Sequence, residues 1–145
     1  MALNVILSVS VWFNDYNEDV INEITIPNTL LNSPSGKARF FSGDWRSFED
    51  NFLANEIISE EDKFDLILTS ETIYNEENQF KLVSIFKNFL KTDGEVLVAG
   101  KTFYFGVGGG MRQFVKVAEE ANLVCSQVKT YETGVKREII KITLK

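Results

Sequence analysis

Two mostly apolar runs flank one helical stripe in this chain, and that arrangement limits the fold more than any other feature. The runs are Phe64–Leu68 (FDLIL) and Glu95–Gly100 (EVLVAG). Between them, from Glu76 to Leu90, Leu82, Val83, Phe86, Phe89 and Leu90 recur at helical spacing. Two strands joined through a helix of that length can pair side by side only in parallel. Strands of near-continuous apolar character are expected where both sheet faces are covered.

The same alternation extends through most of the sequence. From Leu3 to Phe13 apolar residues alternate at period two, which predicts a strand. Val20, Ile21 and Ile24 predict a helix that Pro27 kinks or restarts, with Leu30 and Leu31 continuing its apolar face. Asn32–Ala38 has loop composition. Arg39–Gly43 predicts a short strand and Phe48–Ile58 a helix. Gly94, after KTD, suits a left-handed helix stop. Met111–Ala121 predicts a helix with Phe114, Val115 and Ala118 inward. Leu123–Tyr131 and Glu138–Leu144 predict a final antiparallel pair joined around Gly134. The expectation is an α/β fold, a single domain over residues 1–145, with a mostly parallel sheet and a C-terminal antiparallel strand pair.

Composition removes several function classes. There is no histidine, so His-based triads, His-metal sites and His general bases are excluded, and no metal site is expected. Cys125 is the single cysteine, so no intrachain disulfide can form and a reducing compartment is expected. The formal net charge of −6 argues against direct binding to a nucleic-acid backbone. The apolar opening, MALNVILSVSVWF, is too short to span a bilayer, and Asn14 and Asp15 follow it at once.

In open parallel sheets ligands bind beyond the carboxyl ends of the strands. Those ends carry Asn14-Asp15-Tyr16, Gly43-Asp44-Trp45, Ser70 to Asn75, and Lys101 with the YFGVGGG loop. Three successive ends bear a carboxylate. A carboxylate there can accept both hydroxyls of a ribose, and an indole can stack on adenine. Singly, Asp15 and Asp44 also fit plain helix caps; together the three ends indicate a nucleoside-type ligand. Glu71 and Tyr74 would share a face if a helical turn began there, with Ser70 as the cap of an ordinary helix start as the alternative. Gly106–Gly110 fails the dinucleotide fingerprint, because Met111 stands where its last glycine belongs. It reads as a mobile loop over the site or as a close backbone approach.

The segments FNDYNEDVINEITIPN, RFFSGDW, FDLILTSETIYN and KTFYFGVGGG together resemble the protein-histidine N-methyltransferases, seven-β-strand, S-adenosylmethionine-dependent proteins. The resemblance runs from about Val11 to Lys145. It implies a class I methyltransferase (Rossmann-like) fold with S-adenosyl-L-methionine as cofactor. It implies that Asn14, Asp15 and Tyr16 serve the cofactor ribose, that Gly43, Asp44 and Trp45 lie along the adenine, and that Ser70 is a further cofactor contact. Glu71 and Tyr74 match the acidic-x-x-aromatic motif that faces the methyl acceptor. That acceptor would be a histidine ring nitrogen in a protein partner, typically a large-subunit ribosomal protein, in the cytoplasm or nucleus.

The chain departs from the family pattern in two places. The acidic residue and glycine-rich loop of the family's first strand have no counterpart, and Phe103 stands where K-x-H-Y-F has its histidine. The expectation is an N-terminally incomplete domain. The missing loop removes about three backbone hydrogen bonds, so cofactor affinity would fall on the order of a hundredfold. Strand edges left without a neighbour favour self-association or marginal stability over a compact monomer. A non-catalytic module that keeps only the fold's partner surface is the alternative to an enzyme.

Overall fold

The computed structural model describes residues 10–32, 37–55, 59–106 and 108–145. The chain divides into two compact units, 1–54 and 55–145.

In the first unit, β1 (Ser10–Asp15) pairs in parallel with β2 (Lys37–Ser42), with Phe13 opposite Phe40 and Asp15 opposite Ser42. The Leu3–Val9 part of the expected first strand, positions 33–36 of the expected loop and positions 56–58 of the expected helix lie outside the described residues. Between β1 and β2 the chain runs as a π-helical turn, Val20–Thr25, into α1 (Ile26–Asn32). Pro27 sits in the first turn of α1, where its missing N–H leaves no gap in a helical ladder. Helix α2 (Trp45–Asn55) begins directly after β2. Its Phe48 and Phe52 close an aromatic cluster with Trp12 and Phe41, ring centroids 4.8–6.5 Å apart. The Arg39 guanidinium covers the Trp12 ring at 4.7 Å.

The second unit is a four-stranded sheet in the order β3 (Phe64–Ser70), β4 (Leu90–Lys101), β6 (Arg137–Leu144), β5 (Leu123–Tyr131). β3 and β4 are parallel, as the crossover through α3 (Glu76–Phe89) requires; β4–β6 and β6–β5 are antiparallel. The expected terminal hairpin forms, and its second strand lies against β4. Over the described residues two strand pairs are parallel and two antiparallel, so the sheet of this unit is mixed. One sheet face carries α3 and α4 (Met111–Glu120), with Phe86 and Phe114 edge to face at 6.3 Å. Val96, Val98, Ile140 and Ile142 are buried there, with Phe114 and Ala118 above them; Val115 is only half-buried.

Two expectations are corrected. Phe64–Leu68 is not buried on both faces: Leu66 and Leu68 are 47% and 67% exposed. Among the described residues β3 pairs with β4 alone, so it is an edge, and an apolar run by itself does not reveal which faces are covered. Gly94 is not a left-handed helix stop but part of β4. A Cβ there would lie 2.9 Å from the Phe64 carbonyl oxygen, so glycine serves a close strand approach at the β3–β4 irregularity.

Candidate functional site

At the end of β1, the Asp15 carboxylate accepts the Asn17 N–H through one oxygen at 2.8 Å, and its backbone carbonyl accepts the Gly43 N–H at 2.9 Å. Asn14 is exposed and Tyr16 is 75% exposed. At the end of β2, Gly43 has φ of +116°, a region that side chains resist, and nothing lies within 4 Å of where a Cβ would stand. Asp44 caps α2: its carboxylate accepts the Arg46 N–H at 2.8 Å and its carbonyl the Phe48 N–H at 3.0 Å. Trp45, half-buried, opens that helix. Asp44 thus does the capping work that its sequence context allowed, whereas the Asp15 carboxylate holds the turn at Asn17 ahead of the next helix. Asp15 keeps its second carboxylate oxygen for another donor, and Gly43 adds an open backbone surface. These features fit the nucleoside half of a cofactor, a diol at Asp15 and a flat ring along Gly43.

In the second unit the turn after β3 is not a helix start. Asn75 is the N-cap of α3, its side chain accepting the Glu77 N–H at 2.9 Å, and neither Ser70 nor Glu71 belongs to that helix. Ser70, exposed, is the last residue of β3, opposite Ala99. Glu71 follows with φ of +57°, held by its N–H donating to the Ala99 carbonyl at 3.0 Å. A left-handed backbone at a residue with a side chain costs on the order of 1 kcal/mol, and such strain concentrates at functional positions. Thr69 and Thr72 share a hydroxyl hydrogen bond at 2.7 Å, and Ile73 plugs the core beneath, its carbonyl accepting from buried Gln79 at 2.9 Å.

The glycine-rich loop is the second wall of this turn. Gly109 donates to the Tyr74 carbonyl at 3.2 Å, its own carbonyl accepts the Tyr104 N–H at 3.1 Å, and Gly108 bridges Asn75. A Cβ on Gly109 would lie 2.4 Å from the Tyr74 carbonyl oxygen and 2.5 Å from that of Ile73. Of the two readings left open for the loop, close backbone approach is the one seen at Gly109; Val107 lies outside the described residues.

Around Glu71 stand groups that sequence reasoning left without a role. The Lys101 ammonium is 3.9 Å from one carboxylate oxygen and the Arg137 guanidinium 4.0 Å from the other. The Tyr104 ring lies under the Lys101 ammonium at 5.1 Å and meets the Tyr74 ring at 6.2 Å. In the sequence Lys101 stands at a strand end beside the glycine loop, and Arg137 falls in the connection around Gly134, ahead of the expected last strand. No local pattern announces that β6 lies beside β4 and sets Arg137 opposite Lys101. Tyr74 meets Tyr104, Lys101 stands over the Tyr104 ring, and Glu71 pairs with Lys101, so Glu71 and Tyr74 are linked through these groups rather than along a helix. Cys125 is no candidate nucleophile, because burial pushes its thiol up to about 11.

Known proteins match this chain on both sequence and fold. A family model described as "Lysine methyltransferase" matches residues 1–106. A "Histidine protein methyltransferase 1 homolog" of Dictyostelium discoideum is 42% identical over 93% of this chain and 43% of that protein. One of the same description from Bos taurus is 39% identical over 92% and 42%. The chain thus spans less than half the length of these curated relatives. A solved "TehB-like SAM-dependent methyltransferase" from Corynebacterium glutamicum superposes with a TM-score of 0.60 at 21% identity, covering 94% of this chain and 68% of that one. At that identity the likeness establishes the fold alone, the α/β class I methyltransferase fold.

Proposed function

The chain belongs to the methyltransferase family of that model, and from this premise we propose that it is part of an S-adenosylmethionine-dependent enzyme that methylates a histidine ring nitrogen of a protein. The observation that carries the reading is Glu71, a carboxylate on a strained left-handed backbone at a strand end, between Lys101 and Arg137. When bound, the cofactor supplies a sulfonium methyl that a ring nitrogen can displace. Asp15 would hold the ribose diol; Asn14, Tyr16, Gly43, Asp44 and Trp45 would line the nucleoside, and Ser70 would add a contact.

Glu71 would accept the N–H of the far ring nitrogen. That fixes the tautomer and aims the lone pair of the near one. As the new bond forms, the ring gains positive charge, and a carboxylate already in place stabilises it without reorganisation. Alignment of the two reactants supplies most of the remaining acceleration, about 7 kcal/mol or more. The family model's description names lysine, but the rim supports histidine. Lys101 and Arg137 disfavour an approaching ammonium, which would also have to shed a proton, whereas imidazole is largely neutral at pH 7. The relatives' names point the same way. A large-subunit ribosomal protein is the proposed partner, in the cytoplasm or nucleus.

The test is methyl transfer from S-adenosylmethionine to histidine-bearing peptides, read by mass spectrometry. Glu71→Ala should cut transfer far more than cofactor affinity. Asp15→Ala should weaken cofactor binding and recover at high cofactor concentration. Equal losses of rate and affinity in Glu71→Ala would move that residue to the cofactor side, and methylation of lysine in place of histidine would overturn the acceptor assignment.

A further inference from the structure

The turn between β3 and α3 carries the proposed acceptor site, and its middle residue is held by a side chain. Ile73 is fully buried and lies against Gly100 of β4, where an added Cβ would meet its side chain at 3.1 Å. Its carbonyl is walled in by the glycine loop, since a Cβ on Gly109 would lie 2.5 Å from the oxygen. A carbonyl closed off in this way needs a donor from the protein. The donor is Gln79, the fourth residue of α3, whose Nε2 donates to the Ile73 oxygen at 2.9 Å.

We infer that Gln79 is the positioning residue of the acceptor turn, its amide fixing the Ile73 carbonyl and, through it, the backbone from Glu71 to Tyr74. Gln79 is not a residue that merely fills the core. It is fully buried in a helix whose other buried residues, Leu82, Val83, Ile85, Phe86 and Phe89, are all apolar. Its amide is also only half used. A carbonyl can only accept, so Nε2 must face Ile73 and Oε1 faces away, where among the described residues it has no hydrogen-bond partner. A methionine of similar shape would bury no such oxygen. The chain carries the cost of an unpaired buried acceptor and keeps a donor on the turn in return. The remaining ties hold the ends of the turn: the Glu71 N–H on Ala99, the Tyr74 carbonyl on the Gly109 N–H, and the Asn75 side chain on the Glu77 N–H. Gln79 is the tie at the middle, between the strained residue and the exposed aromatic ring. With it released, the turn is fixed only at its ends, and the left-handed backbone of Glu71 has room to relax.

The inference rests on the acceptor role proposed for Glu71, so two measurements separate the two claims. Gln79→Met keeps the length and bulk of the side chain and removes the donor. In the 145-residue chain the backbone amide protons of Glu71 and Gly109 should then exchange about tenfold faster, the worth of one buried carbonyl left unpaired, while those of Phe86 and Phe89 in α3 keep their wild-type rates. Unchanged exchange at Glu71 and Gly109, or an equal rise along all of α3, overturns the inference whatever the activity. In methyl transfer to a histidine peptide, at a temperature where both proteins are folded, the same variant should lower kcat about tenfold with the cofactor KM unchanged. Full kcat would also overturn the inference, because a residue that only supports the core lowers the urea midpoint and leaves the rate of the folded enzyme alone. If Gln79→Met does not fold, the wild-type chain decides. There the side-chain amide protons of Gln79 should exchange at least about tenfold more slowly than those of exposed Gln113, and equal rates overturn the inference. A wild-type chain that transfers no methyl counts against the proposed function alone, and amide exchange then decides the role of Gln79.

Discussion

The two ends of the β3–β4 pair are built on opposite rules. At the amino end Glu60, Lys63, Asp65 and Lys91 are engaged at hydrogen-bond length. The Glu60 carboxylate takes the Thr92 N–H at 2.5 Å, the Thr92 hydroxyl at 2.9 Å and the Lys63 ammonium at 2.9 Å, while Lys91 meets Asp65 at 2.7 Å. Glu60 and Asp65 are held below the ordinary carboxylate range by these bonds, and Asp62 by the hydroxyl and N–H of Ser59. At the carboxyl end the backbone is strained at Glu71, and the ion pairs stop near 4 Å. One end closes a turn onto the sheet. The other holds a carboxylate with capacity to spare and accepts a strained turn to do so, which is how a site differs from a clamp.

The largest expected effect tests whether the carboxyl end is as rigid as its backbone contacts make it. Gly109→Ala would drive a methyl into two carbonyl oxygens, neither of which can rotate away. Overpacking against backbone should cost about 3 kcal/mol, read as a lowered urea midpoint. A near-wild-type midpoint would mean that the loop yields, and that the turn after β3 is not clamped.

The next effect has the opposite sign. Glu71→Gly removes a side chain from a left-handed position, so the variant should gain about 1 kcal/mol of stability while losing the carboxylate. The ion pairs lost with it are exposed and worth little. A less stable variant would show that Glu71 supports the fold, and the contrast between the two ends would fail.

How much of this was legible in the sequence follows the range of the interactions. Local periodicity located α3 and the terminal hairpin to within a residue or two, because Phe86 and Phe89 or Ile140 and Ile142 must face a core. It placed α2 three residues late, since Asp44 caps at Trp45 and the first turn carries no apolar spacing. The exposure of Leu66 and Leu68 was out of reach, because which strand is an edge depends on pairing between distant segments. At the site, Asp15, Asp44, Glu71 and Tyr74 stood out by position at strand ends and by family resemblance. The left-handed backbone of Glu71 did not, since no residue type there demands it. Nor did the approach of Gly109 to Tyr74, which closes the glycine loop on a turn far back in the chain.

The smallest expected effect concerns the amino end and depends on pH. The Glu60 carboxylate is lowered from 4.5 to about 2, first by the Lys63 ammonium and then by the Thr92 N–H and hydroxyl. A carboxylate depressed in the folded state contributes stability that is fully present above its unfolded value and is lost as pH falls through the folded one. For Glu60 that window runs from about 4.5 down to about 2. Wild-type stability should therefore fall across this range. Glu60→Gln, which keeps an oxygen for the Thr92 donors but cannot ionise, should fall less steeply. A residual slope is expected from Asp62 and Asp65, which Ser59 and Lys91 hold down in the same way. Because Glu60 is open to solvent, the advantage of the wild type will be modest even at neutral pH, where it is fully present, and the two slopes will differ most near pH 3, where folded and unfolded chains differ in its charge. Urea midpoints measured at half-unit steps between pH 5 and pH 2 read this directly. Parallel curves for the two proteins would show that Glu60 is an ordinary surface carboxylate, and that the amino end of the sheet is not closed by the bonds that distinguish it from the carboxyl end.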